Sequence, residues 1–224
     1  MSNKTQKQAF LDYEANNWFS RNRSSQYNPK KDPVLAVLRE YSITAGHVFE
    51  IGCSYGYRLN AISQSFEDVK VTGLEPSLEA IEYGRQKYSS VNFVHGTADD
   101  ISMIPSASFD LVIIGFVLYV IDRDVLLRVV SETDRVLKNN GILMILDFFS
   151  EKALRNPYDH IKELVAYSYK QNYEDVFTAS KLYQLIDKRS FHHATKKYDI
   201  EGDYYNTLSL CTLRKDTSAG YVDK

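Results

Sequence analysis

Residues 48–59 read VFEIGCSYGYRL: an apolar run interrupted by Glu50, a loop bracketed by Gly52 and Gly56, and the start of an amphipathic segment. β-Branched and aromatic residues without polar alternation suit a strand covered on both faces. Gly52 lets the chain turn sharply out of that strand, and Gly56 lets the backbone come close to a ligand, because neither carries a Cβ. Strand, glycine turn and helix in this order open a ligand crevice at the carboxyl end of the first strand. The spacing is G-x-x-x-G with Ser54 inside it, whereas dinucleotide sites use G-x-G-x-x-G. A pyrophosphate cradle is therefore disfavoured, and a nicotinamide dehydrogenase with it.

Further apolar runs follow at 69–75 (VKVTGLE), 91–95 (VNFVH), 109–115 (FDLVIIG) and 141–149 (GILMILDFF), with the first strand at 47–52. Amphipathic stretches separate them and predict helices over 57–66, 78–88 and 124–137. In the last of these, Val125, Leu126, Val129, Val130, Thr133, Val136 and Leu137 fall on one stripe at helical spacing. Upstream, Asp32 with Pro33 behind it starts a short helix over 32–41. This alternation predicts an α/β, doubly wound, seven-stranded and mainly parallel sheet of Rossmann-like type. Beyond Phe149 the alternation stops. An aromatic-rich helical insert over about 150–190 is expected, including a helix near 180–188. Two alternating runs, ATKKYDI (194–200) and YNTLSLCTLRK (205–215), then predict an antiparallel C-terminal hairpin at the sheet edge. Residues 1–12 are polar without a period and read as a frayed lead-in.

The 224 residues suffice for one substantial core, with 44% apolar and 25% charged side chains. Twenty-seven basic and 29 acidic residues are mixed along the chain, for a formal net charge of -2, so nucleic acid is not an expected partner. No apolar stretch reaches the roughly 20 residues that span a bilayer, and no signal-type run is present. With only Cys53 and Cys211, both expected free, the expected compartment is the reducing cytoplasm. Seventeen tyrosines, many outside the predicted core, are the compositional oddity.

Five segments occur in a fixed order: VFEIGCSYG (48–56), GLEPS (73–77), HGTADDI (95–101), SFDLVIIGFVLYVID (108–122) and RVLKNNGILMI (135–145). Together they resemble the class I S-adenosylmethionine (SAM)-dependent methyltransferase family, as its glycine motif, acidic loop, adenine loop, motif IV and following strand. The resemblance implies SAM as cofactor. It implies that Gly52, Cys53, Ser54 and Gly56 contact the methionine part of SAM and that Glu50 organises the loop. It also implies Glu75 on the ribose hydroxyls and Pro76 beside the adenine. Thr97 and Ala98 stand where the family has an Asp-Ala pair, which leaves Asp99 as the acceptor for the adenine amino group. Gly115 closes motif IV. Tyr119 stands where many members carry a histidine. Independently of any family, Glu75 lies 19 residues beyond Gly56, where folds of this kind place an acid on ribose hydroxyls.

With no internal repeat or Pro/Gly linker, a single domain is expected, made of an N-terminal lid and helix (1–45), a cofactor-binding core (46–149), a substrate cap (150–190) and a closing hairpin and tail (191–224). Cys53 reads better as a small packing residue than as a nucleophile. His47, His95, His160, His192 and His193 show no zinc-ligand spacing, so no metal is expected. Trp18, Phe19 and Arg21 read either as a packed arm or as a lid, with Arg21 or Arg23 near the methionine carboxylate. His160 reads either as part of a structural helix face or, with Tyr119, as a catalytic group facing the methyl. Asp147 is a third candidate base.

The expected reaction is methyl transfer to oxygen or nitrogen of a small-molecule or sugar-containing, glycan-type acceptor. SYKQNYEDVFTASKLYQLI (168–186) resembles methyltransferases encoded with bacterial surface-polysaccharide genes. A quinone, lipid-like or natural-product acceptor is the alternative, favoured by an apolar lining. A non-catalytic SAM-binding partner subunit is the rival from another class. Nothing in the sequence excludes a homo-oligomer.

Overall fold

The computed structural model describes residues 5–162, 164–195, 197, 206–218 and 220–221. Among the described residues, nine strands occur: β1 (His47–Ile51), β2 (Lys70–Glu75), β3 (Val91–His95), β4 (Phe109–Gly115), β5 (Leu137–Phe148), β6 (Leu154–Pro157), β7 (Tyr167–Lys170), β8 (Tyr183–His192) and β9 (Thr207–Lys215). Seven of them form one sheet in the order β3-β2-β1-β4-β5-β9-β8, parallel from β3 to β5 and antiparallel through β9 and β8. The order reverses direction between β1 and β4, and that switch point is where ligands sit in open α/β sheets.

Why the strand runs are so uniformly apolar is visible in how they are shared between two core layers. Leu111 and Ile113 pack on one face with helix α3 (Pro33–Glu40), α4 (Tyr57–Ser65) and α5 (Leu78–Lys87). Val112 and Ile114 pack on the other, with α6 (Leu126–Val136) and α7 (Asp175–Thr178). Both faces are covered, so neither set of alternate positions can be polar. Helix starts follow local capping chemistry: Asp32 accepts from the N–H groups of Val34 and Leu35, and the hydroxyl of Ser77 accepts from that of Ala80. No helix among the described residues is long and apolar enough to cross a membrane.

Three expectations change. The polar lead-in is ordered from Thr5 onward: α1 (Gln6–Ala9), a π-helical turn (Phe10–Glu14) and α2 (Ala15–Asn22) run over the carboxyl edge of the sheet. Its contacts are long-range hydrogen bonds, which leave no hydrophobic period. Gln6 donates to the carbonyls of Val120 (2.7 Å) and Tyr167 (2.9 Å), and its side-chain oxygen accepts from the N–H of Tyr167 (2.8 Å). The insert is less helical than expected. It holds the β6–β7 antiparallel pair, and its helical part is the single turn of α7. The stretch 180–188 is mostly β8, not helix. Leu182, Leu185 and Ile186 imitate a helical stripe, but a bulge between Leu185 and Asp187 has shifted the strand's alternation, and β9 pairs along its whole length. β8 thereby takes the hairpin place expected of 194–200. Ala194 and Thr195 form the turn after it, and positions 196 and 198–200 lie outside the described residues.

Candidate functional site

A cleft of about 1010 Å³, counting its open mouth, lies at the switch point. Its floor is built by the turn after β1. Gly52 sits at φ +75°, and its N–H and that of Cys53 both donate to the carbonyl of Leu74, at 2.9 and 3.1 Å. The turn is thus tied to the end of β2. Ser54 also adopts a positive φ, of 50°, and its N–H donates to Glu75 Oε2 at 2.8 Å. Glu75 Oε1 accepts from the N–H of Ser77 at 2.9 Å. Burial pushes the Glu75 carboxyl up to about 7, against the lowering effect of those two N–H groups. Each of its oxygens retains lone-pair capacity.

Pro76, Gly96, Thr97 and Ala98 also line the cleft, as do the apolar Ile51, Leu74, Ile121 and Val125 and the acid Asp99. Burial acts to raise the Asp99 carboxyl, but hydrogen bonds from Lys7 (2.7 Å) and Thr97 outweigh it and hold the group below its ordinary value. Gly115, Phe116 and Tyr119 bring in the end of β4 and the loop behind it, while Lys7, Phe10, Ala15 and Trp18 roof the cleft from the N-terminal arm.

Of the residues singled out from sequence, Gly52, Ser54, Glu75, Pro76, Thr97, Ala98, Asp99, Gly115 and Tyr119 line this one cleft. Glu50, Cys53, Gly56 and His160 are outside its lining. Glu50 is buried and ion-paired with Arg58, which also bonds Asp32 at 2.9 Å. The pair braces β1 against α3 and α4. Cys53 is buried against Gly73, on the sheet side of the loop. Gly56 has φ +78° at the start of α4, and a Cβ there would fall 2.7 Å from the Phe93 ring. The need for glycine at 56 is therefore a matter of packing and backbone conformation, not of ligand approach. His160 is exposed, edge-on to Tyr158 at 5.3 Å.

Asp147 does not serve as a free base. Its Oδ2 accepts from the N–H groups of Leu118 (2.9 Å) and Tyr119 (3.3 Å), and its Oδ1 from that of Phe148 (2.8 Å). The carboxylate is a staple for the loop after β4. Arg21 is paired with the buried Glu14 at 2.6 Å and lies outside the lining, as does Arg23. The arm residues Lys7, Phe10 and Ala15 were missed in the sequence, where they show neither period nor motif. Tyr57, Phe116 and Asp122 were missed as well, although Tyr57 and Phe116 sit beside motifs already recognised.

Two features test whether the cleft suits SAM. An acid that is buried and yet keeps acceptor capacity, at the end of β2, matches a pair of neighbouring hydroxyls. An apolar lining that includes Asp99, an acid held below its ordinary value, matches a flat base with an amino group. Residues 48–141 match the family model described as a methyltransferase domain. Together with the strand order, this match makes 48–141 similar to class I SAM-dependent methyltransferase domains.

Among individual proteins, the chain is 28% identical over 123 residues to the carboxy-S-adenosyl-L-methionine synthase of Haemophilus ducreyi, covering 52% of this chain and 50% of that one. It is 25% identical over 125 residues to the ubiquinone/menaquinone biosynthesis C-methyltransferase UbiE of Campylobacter jejuni, covering 53% and 52%. The chain thus spans about half the length of the curated relatives it matches. Over nearly the whole fold it is similar to the 1,6-didemethyltoxoflavin-N1-methyltransferase of Burkholderia thailandensis, solved with bound 1,6-didemethyltoxoflavin and S-adenosylhomocysteine. That likeness has a TM-score of 0.72 at 13% identity and covers 96% of this chain and 92% of that one. It is also similar to the [4+2]-cyclase SpnF, with a TM-score of 0.67 at 13% identity, covering 96% and 97%.

Proposed function

We propose that this protein transfers a methyl group from SAM to oxygen or nitrogen of a planar, largely apolar small molecule. The observation that carries the reading is the cleft at the switch point, whose lining combines Gly52, Glu75 and Asp99 with the rings of Phe10, Trp18, Tyr57, Phe116 and Tyr119. SAM, when bound, supplies a methyl group on a positively charged sulfur. Glu75 accepts from the ribose hydroxyls, Asp99 from the adenine amino group, and the tight turn at Gly52 gives the methionine part backbone to lie against. The arm residues exclude water, and the loop stapled by Asp147 orients the acceptor.

The aromatic and aliphatic lining weighs against a sugar-containing, glycan-type acceptor and toward the quinone, lipid-like or natural-product class. The names of two similar proteins support the same class: a quinone-biosynthesis methyltransferase and a methyltransferase of a flat heterocycle.

A second reading, SAM binding without methyl transfer, is favoured by Tyr119 in place of the family histidine and by likeness to proteins named as a synthase and a cyclase. Calorimetric titration of the protein with SAM, S-adenosylhomocysteine and NAD decides the cofactor. The expected result is binding of the first two and none of NAD; NAD binding alone overturns the proposal. Appearance of S-adenosylhomocysteine from SAM in a screen of quinols, phenols and N-heterocycles then separates transfer from binding alone.

A further inference from the structure

Among the described residues that line the cleft, Lys7 is the only cation, and it comes from the N-terminal arm. It is fixed at both ends. Its backbone N–H donates to Asp122 Oδ2 at 2.9 Å, and its ammonium donates to Asp99 Oδ2 at 2.7 Å. Both acids line the cleft with it. Arg128 stands 3.7 Å from the same Asp99 oxygen, but its side chain is mostly exposed and is not part of the lining. The arm is already held by neutral hydrogen bonds, from Gln6 to the backbone of Val120 and Tyr167 and between Asn16 and Ser77, so an ammonium in the cleft is not needed to fasten it. An ammonium carries three donors, and among the described residues its hydrogen bond is the one to Asp99. Donors are therefore left over beside the lone pairs of the carboxylate. Acceptor and donor side by side are the complement of the edge of adenine, where an amino group that donates is flanked by the ring nitrogens N1 and N7, which only accept.

We propose that Lys7 is a specificity-determining contact for the cofactor: while Asp99 accepts from the adenine amino group, Lys7 donates to a ring nitrogen beside it. This role rests on the proposed SAM site and deepens it, because the N-terminal arm then reads the base as well as covering it. The bond from the Lys7 backbone to Asp122 sets where the ammonium stands, and Asp99 holds it there.

The test titrates the full chain by calorimetry with S-adenosylhomocysteine and with its 1-deaza and 7-deaza analogues, in which a C–H replaces one ring nitrogen and the amino group is kept. The wild-type protein is expected to bind at least one analogue about tenfold more weakly than S-adenosylhomocysteine, the effect of one lost hydrogen bond from a charged donor. Which analogue is weakened tells which edge of the base faces Lys7. Lys7→Met keeps a long stem and the backbone N–H to Asp122 but has no side-chain donor, and it is expected to bring that ratio to about one. Comparing the ratio between the two proteins cancels whatever the missing nitrogen does to the analogue itself. A lysine that merely fastens the arm gives a different result: Lys7→Met then weakens all three ligands together and leaves the ratio unchanged, which overturns the proposal. Equal affinities of the wild type for all three ligands overturn it as well. Failure of the wild type to bind S-adenosylhomocysteine at all is a separate outcome that overturns the cofactor reading underneath, and Lys7 then has no base to read.

Discussion

Glu75 does two things at once: it holds the turn after β1 through the N–H of Ser54 and it presents an acid to the cleft. Burial keeps its carboxyl at about 7, well above its ordinary 4.5. If ribose hydroxyls need the ionised form, affinity for S-adenosylhomocysteine rises with pH through about 7 and falls by about tenfold per unit below it. Calorimetry across that range should show the dependence in the wild type and not in Glu75→Gln. In the ligand-free protein the sign is opposite. The folded state binds the proton more tightly than the unfolded one, so the contribution of Glu75 to stability is full below 4.5 and is lost as pH rises through about 7. Asp147, raised by burial from 3.8 to about 7, acts in the same direction. Thermal melting of the ligand-free protein should therefore weaken over this interval, and less so in Glu75→Gln. Arg58 shows the other kind of buried charge. Replacing it with Met leaves Asp32 and Glu50 buried without their partner, an expected loss of about 3–5 kcal/mol in urea unfolding. The position of Glu75 was legible in the sequence from its distance to the glycine turn. The role of Arg58 was not, because a lone arginine early in a helix has no pattern to mark it.

At the scale of elements, the N-terminal arm decides how closed the site is. It is held by Gln6 on the backbone of Tyr167 and Val120, by Lys7 on Asp99, by Asn16 on the hydroxyl of Ser77 (2.7 Å), and by Phe19 against Tyr55 and Tyr83. Much of the tyrosine excess is explained here, since Tyr55, Tyr57, Tyr83 and Tyr88 form the aromatic bed beneath α2. Gln6→Ala removes three hydrogen bonds at the arm's far end. It should speed proteolytic cleavage within residues 5–22 and lower S-adenosylhomocysteine affinity, and saturating ligand should restore the protection. Cleavage at the wild-type rate would show that the arm is held elsewhere. Gly56→Ala probes the start of α4. The left-handed backbone and the Phe93 ring both oppose a Cβ, so the expected effect is a loss of about 1–3 kcal/mol in stability, read by thermal melting, with the lining of the cleft untouched.

Across the whole molecule, the sheet draws its last strand from the far end of the chain. β9 lies between β5 and β8 and contributes Leu208 and Leu210 to one core layer and Cys211 and Leu213 to the other. A chain ending at residue 206 is expected not to fold cooperatively, seen as the loss of a sigmoidal urea transition. By itself the sequence determined the parallel half of this fold and the part of the cleft lined by Gly52, Glu75 and Asp99. There the information is local: continuous apolar runs follow from burial on both faces, and the glycine turn and the acids lie within a few residues of strand ends. Only the tertiary structure decided the roof contributed by the N-terminal arm. Gln6, Lys7 and Glu14 act on partners that are mostly more than a hundred residues away in the chain, through single hydrogen bonds that leave no period behind. Tertiary pairing also decided β8. A bulged edge strand whose Leu182, Leu185 and Ile186 mimic a helix is recognisable as a strand only when β9 is beside it.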